Sequence, residues 1–235
     1  MLRFQDRREA GQKLGALLLP YALKNPVILA LPRGGVPVAY EVAKALGAPL
    51  DIWVVRKIGV PWHPELGVGA VAEGGFVHLN HDILHNVGLA DGKLEAAIEN
   101  QRREVEARVT RFRDGYPAPI LKARTVIVVD DGIATGGTVR AAIRSIRAQS
   151  PKSVVLAVPV VAAATVKTLA PEVDRLVYLR APHELYAIGL WYDDFSQVPD
   201  EAVVRLLERA RTEHRACRRA SSTRRSSRLA GHRSS

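Results

Sequence analysis

Between residues 126 and 139 the chain reads Val-Ile-Val-Val-Asp-Asp-Gly-Ile-Ala-Thr-Gly-Gly-Thr-Val. Val126 to Val129 are four consecutive β-branched apolar residues, the pattern of a strand buried on both faces, as in a parallel sheet. The strand ends in Asp130 and Asp131, and a short loop rich in Gly and Thr follows. Val139, Ala142, Ile143 and Ile146 then recur at helical spacing. A loop between a strand's carboxyl end and a helix's amino end meets ligands where free backbone N–H groups and the helix dipole favour a phosphate. Gly136 and Gly137 permit close approach of an anion, and Thr135 and Thr138 add hydroxyl donors.

Two carboxylates beside a phosphate cradle would repel the phosphate. A ligand carrying both a phosphate and a diol removes the conflict: the cradle takes the phosphate, and the carboxylates accept from sugar hydroxyls or hold Mg2+. No Gly-Lys-Ser/Thr follows the glycines, so this is not a Walker A loop. The acidic pair precedes the glycines, which separates it from the dinucleotide fingerprint.

Upstream, residues 6–19 read as an amphipathic helix with Ala10, Leu14, Leu17 and Leu18 on one face. Val27 to Leu31 form a second continuously apolar strand, ending in Pro32-Arg33-Gly34-Gly35. A helix over Val38, Val42, Ala45 and Leu46 closes at Gly47, a predicted C-cap. The strand Leu50 to Val55 ends in Arg56-Lys57. Strand, helix and strand at these lengths make a βαβ unit, hence a parallel sheet. The stretch Val60 to Gly69, with its prolines and glycines, reads as a mobile loop. Ala70–Glu73 and Phe76–Leu79 read as short strands around Gly74-Gly75. Residues 91–113 form a helix whose arginines belong to a solvated charged face; it is an insertion or a dimer element. Val154–Val160 and Arg175–Leu179 are further strands, residues 162–169 a short helix, and 200–213 a closing helix.

The chain has 235 residues and a net charge of +10. Seven arginines and no acid lie between His214 and Ser235, and without them residues 1–213 carry +3. The basic character therefore belongs to an Arg/Ser-rich tail, which is expected to be disordered over 214–235. That tail is the one route to nucleic acid, although no aromatics interleave its arginines. A single cysteine, Cys217, excludes an intrachain disulfide. No apolar run reaches the length of a membrane span and no signal peptide is visible, so a cytoplasmic protein without membrane contact is expected.

The Val126–Val139 stretch resembles the phosphoribosyl pyrophosphate (PRPP) signature of type I phosphoribosyltransferases. The resemblance implies an α/β fold: a single domain with a twisted parallel sheet flanked by helices, a small hood and a helical insertion over about 81–114. It implies that Asp130 and Asp131 bind the ribose, with Ala134, Thr135, Gly136, Gly137 and Thr138 at the 5′-phosphate. Arg33, Gly34 and Gly35 resemble the family's pyrophosphate loop, often built around a cis peptide, which places a cis bond between Pro32 and Arg33. Arg56-Lys57-Ile58-Gly59 resembles the Arg-Lys-x-Gly element of adenine phosphoribosyltransferases, and the loop after it would close over PRPP. Leu185 to Phe195 resembles the segment in hypoxanthine–guanine enzymes that stacks on the base; by that likeness Tyr186 is the stacking residue and Asp193 joins Asp130 and Asp131 as a metal-side acid.

The implied activity is a Mg2+-dependent transfer of ribose 5-phosphate from PRPP to a nitrogen nucleophile, a nucleobase by resemblance, with release of pyrophosphate. Arg56 and Lys57 would stabilise the leaving group. A homodimer is expected. In 6-oxopurine enzymes the position of Ala134 carries an Asp, and adenine enzymes carry a lysine where Val60 and Pro61 stand here, so the acceptor base stays unassigned. The alternative is a PRPP- or nucleotide-sensing regulatory protein without significant turnover.

Overall fold

The computed structural model describes residues 3–21, 24–60, 63–80, 83–85 and 91–230. In chain order its main elements are α1 (Arg7–Leu18), β1 (Pro26–Ala30), α2 (Gly35–Leu46), β2 (Leu50–Ile52), β3 (Val55–Val60), β4 (His63–Ala72), β5 (Phe76–Leu79), α3 (Asp91–Arg113), β6 (Thr125–Val129), α4 (Gly137–Arg147), β7 (Ser153–Val160), α5 (Ala163–Leu169), β8 (Arg175–Arg180) and α6 (Asp200–Ala230). Five strands form a parallel sheet in the order β2-β1-β6-β7-β8. β3, β4 and β5 form a separate antiparallel sheet, the hood.

Alternation along each strand divides the core between the two faces of the large sheet. Ile28, Ala30, Ile127, Val129, Val155 and Ala157 belong to one cluster, with α1, α2 and α6. Val27, Leu29, Val126, Val128, Val154, Leu156 and Val158 belong to the other, with Val139, Ala142, Ile143 and Ile146 of α4. Every residue of β6 is buried, as its unbroken apolar run requires. Gly47 ends α2 in the left-handed conformation, φ 59°, with its N–H on the Lys44 carbonyl; it is the C-cap that the sequence signals.

Four expectations change. First, the apolar run from Leu50 to Val55 is two strands in two sheets. The chain leaves the parallel sheet at Trp53, whose N–H donates to the Ala30 carbonyl at 2.9 Å and whose Nε1 donates to Ser145 Oγ at 2.8 Å. Second, the stretch read as a mobile loop is largely hairpin. β3 and β4 pair from Val55↔Ala72 to Val60↔His63, with irregularities on both sides of Gly59; Pro61 and Trp62 lie outside the described residues. Cross-strand pairing supplies the order that local periodicity lacks.

Third, α6 runs to Ala230, through much of the stretch expected to be disordered. No Gly or Pro occurs between Asp200 and Ala230, and Ala and Arg favour the helix. Residues 231–235 lie outside the described residues. Arg211 stacks its guanidinium 3.9 Å from the Tyr116 ring centroid, and Tyr40 Oη donates to Glu213 at 2.9 Å, so the helix packs on the domain up to the start of this stretch, where Arg215 lies 5.8 Å from the same ring.

Fourth, Arg113 at the end of α3 is 3% exposed, not solvated. Its Nε donates to Asp51 Oδ1 at 2.9 Å, its Nη1 to Glu73 Oε1, and its Nη2 to the Ile52 carbonyl at 3.1 Å. One guanidinium thereby ties β2, the hood turn and α3 together. Burial holds the Glu73 carboxyl above the ordinary range, opposed by Arg113.

Candidate active site

Because β1 and β6 are neighbours in register, Ala30 beside Val129, their carboxyl ends deliver two loops to the same place. The Leu31 N–H donates to the Val129 carbonyl at 2.9 Å and draws the two together. The Pro32–Arg33 peptide is cis, as expected. A Cβ on Gly34 would lie 2.0 Å from Asp131 Oδ2, and one on Gly35 2.7 Å from the Val129 carbonyl oxygen. Glycine is therefore required at both positions for the loops to touch.

The second loop is tied to the strand beside it. Ile133 N–H donates to the Val160 carbonyl, Ala162 N–H to the Ile133 carbonyl, and Thr165 Oγ1 to the Ala134 carbonyl. Gly136 takes φ 78°, the left-handed region that lets the chain turn into α4. The first turn of α4 then points N–H groups without intrahelical partners into the cradle. The result is a cavity of about 200 Å3 lined by Lys57, Asp130, Ile188 and residues 132–139. Lys57 reaches over it from the hood: a Cβ on Gly137 would lie 3.5 Å from Lys57 Cε and 3.8 Å from Nζ.

The two acids differ in their surroundings. Asp130 faces the cavity, and burial, then the neighbouring Asp131 charge, pushes its carboxyl well above the usual carboxylate range. Asp131 is held by Arg7 of α1, whose Nε donates to Oδ2 at 2.8 Å. Arg7 also donates to the Ser196 carbonyl at 2.9 Å and lies 3.8 Å from the Phe195 ring centroid. Tyr192 Oη donates to the Asp131 carbonyl oxygen at 2.6 Å. No local sequence signal marks Arg7 as a site residue. It stands 124 residues from Asp131 on an amphipathic surface helix, and only the tertiary fold pairs them.

Arg33 is half-buried and reaches Asp200 Oδ1 at 3.4 Å, while Arg56 donates to Gln101 Oε1 at 3.3 Å. Thr135 and Thr138 line the cradle with Ala134. Two expected residues are not brought there. Tyr186 is 83% exposed, donates to Glu184 and lines a different groove with Arg3, His183 and Leu190; Ile188, two residues on, supplies the apolar wall instead. Asp193 is exposed, its N–H on the Phe4 carbonyl. Among the described residues no three potential metal ligands converge, so Asp193 does not form a cluster with Asp130 and Asp131. No helix among the described residues is long and apolar enough to cross a membrane.

A strand-end acidic pair, an anion cradle and a cis-peptide glycine loop thus meet at the carboxyl ends of β1 and β6. The family described as the phosphoribosyl transferase domain matches residues 7–178, and this chain belongs to it. The protein of Mycobacterium tuberculosis H37Rv named "Putative phosphoribosyl transferase Rv0571c" is 44% identical over 210 residues, covering 89% of this chain and 47% of that protein. The chain thus spans about half the length of the curated relatives it matches. The crystal structure of TT1426 from Thermus thermophilus is 43% identical, with a TM-score of 0.77 over 87% of this chain and 97% of that one.

Proposed function

We propose that this domain binds PRPP across the two loops and transfers its ribose 5-phosphate to a nitrogen nucleophile, most simply a nucleobase, releasing pyrophosphate. The observation that carries this reading is the contact of the Pro32–Gly35 loop with the acidic pair, next to a cradle that Lys57 overhangs. The 5′-phosphate takes the N–H groups and hydroxyls of residues 134–138. Asp130 accepts from the ribose hydroxyls, and Arg7 positions Asp131 beside it. In the reaction the bond from C1 to the pyrophosphate oxygen breaks, its electron pair leaving with pyrophosphate, and the C1–N bond forms as the nucleophile gives up its proton. Arg33, Arg56 and Lys57 oppose the charge that develops on the leaving group, and the loops hold the reactants in line. Ile188 offers an apolar surface to the acceptor.

The donor set also suits Mg2+. Mg2+ is commonly held by one or two carboxylates together with substrate phosphates, without a protein cage, and Asp130 is a carboxylate whose negative environment no nearby cation fully offsets. When bound, the ion would neutralise charge on pyrophosphate.

Incubation with PRPP, Mg2+ and a panel of nucleobases tests the reading. Base-dependent pyrophosphate release is expected. PRPP binding with no release for any base would favour the regulatory alternative. The cradle has its own test. Gly136→Val is a poor one, because it forces a valine into the left-handed region against Thr165 and Leu169. Gly137 has ordinary φ, and a Cβ there meets only the end of the flexible Lys57 side chain, at van der Waals distance. Gly137→Val is expected to weaken PRPP binding by about tenfold or more, the loss of at least one charge-assisted contact, with the unfolding temperature within about 5 °C of wild type. Unchanged calorimetric affinity would place the phosphate elsewhere.

A further inference from the structure

Helix α3 lies against the hood strand β3 and against α6. Gln101, Val105, Arg108 and Phe112 fall on one stripe of it at helical spacing, and Val105 and Phe112 are buried. Gln101 meets Arg56 at one point of this face, and Arg111 reaches Asp200 Oδ2 at 2.6 Å at another. Asp200 is also the carboxylate that Arg33 reaches. Arg108 sits between these contacts, half-buried, with no ion-pair partner among the described residues. The positive charges that bear on it are Arg56 and Arg33; the negative ones are Glu104 and Asp200, and Asp200 is already shared by Arg33 and Arg111. Burial and these like charges lower the Arg108 pKa, in keeping with a guanidinium gathered where positive charge is under-compensated.

Such a cluster is unfavourable by itself and is relieved by a polyanion. It borders the Pro32–Gly35 loop through Arg33, and through Arg56 it adjoins the hood strand β3 on the face turned to α3. We infer that Arg108, from the helical insertion, joins Arg33 and Arg56 in a guanidinium cluster that contacts the pyrophosphate group of PRPP. The inference rests on the PRPP reading above, and it makes α3 part of the site. Arg108 presents a planar fork of donors that matches phosphate oxygens.

Calorimetry in Mg2+ buffer with inorganic pyrophosphate, ribose 5-phosphate and PRPP as separate probes tests it. Arg108→Gln is expected to weaken pyrophosphate and PRPP by about tenfold or more, the loss of a charge-assisted contact. Ribose 5-phosphate affinity stays at the wild-type value, and Arg108→Lys recovers part of the pyrophosphate loss. Wild-type pyrophosphate affinity in Arg108→Gln, alongside a loss in Arg33→Gln, would overturn the role of Arg108 and leave the PRPP reading standing. Equal losses for pyrophosphate and ribose 5-phosphate would also overturn it, since they would mark Arg108 as a support for the fold. A wild-type protein that binds neither PRPP nor ribose 5-phosphate would remove the PRPP reading, and this inference with it.

Discussion

Replacing Asp130 by Asn is expected to raise the dissociation constant for PRPP by about 10²–10⁴ while making the ligand-free protein more stable. A carboxylate that accepts from two ribose hydroxyls makes two charge-assisted bonds of about 1.5–3 kcal/mol each. The stability effect has the opposite sign. Asp130 is cramped by burial and by the charge of Asp131, and its carboxyl is pushed up accordingly. A carboxyl with a raised pKa in the folded state binds its proton more tightly there than in the unfolded chain. Its contribution to stability is therefore lost as pH rises from the unfolded pKa through the folded one. At neutral pH the charged form is the burdened one, and Asn removes the burden. By the same reasoning, PRPP affinity should fall on acidification at a pH above the range of an ordinary aspartate. Titration calorimetry across pH, paired with thermal melts without ligand, checks both. A variant that melts lower and binds PRPP as wild type would refute the assignment.

Arg113→Met is the second large effect, and it falls on stability. It leaves Asp51 and Glu73 buried without their common partner, and removing one member of a buried ion pair typically costs about 3–5 kcal/mol. Glu73 Oε2 already lacks a hydrogen-bond partner, so the second carboxylate has no local substitute. Adding Glu73→Gln to Arg113→Met should recover part of the loss, because a neutral amide is less costly to bury than an unpaired carboxylate. Equilibrium urea unfolding of both variants measures this. A single variant within about 0.5 kcal/mol of wild type, the range of ordinary surface changes, would show that the network does not hold the hood.

The parts of this architecture legible in the sequence are those encoded within a short window. β1 and β6 announce themselves because both faces of each strand are covered, which leaves no polar alternation. The cradle and the acidic pair follow each other without a gap, so their chemistry is readable in order. The misreadings come from contacts between distant segments. Trp53 looks like one more apolar strand residue; its bonds to Ala30 and Ser145 reveal it as the point where the chain leaves one sheet for another. Arg113 looks like any charge on a polar helix until Asp51 and Glu73 enclose it. Arg7 pairs with Asp131 from the far end of the chain. Tyr186 suits a stacking role on sequence because aromatics suit bases, yet the backbone turn over Ile188–Trp191 directs Ile188 to the cavity and leaves Tyr186 at the surface.

If the cleft between the Pro32–Gly35 loop and the residue 130–138 loop is a PRPP site, it should fill stoichiometrically and depend on the cradle. Titration calorimetry of PRPP into the wild-type protein and Gly137→Val, with Mg2+ present, addresses it most directly. Saturable binding of one PRPP per chain is expected in the wild type, with a loss of about tenfold or more in the variant. Absence of PRPP binding to the folded wild-type protein, or equal affinity in the two, would contradict it.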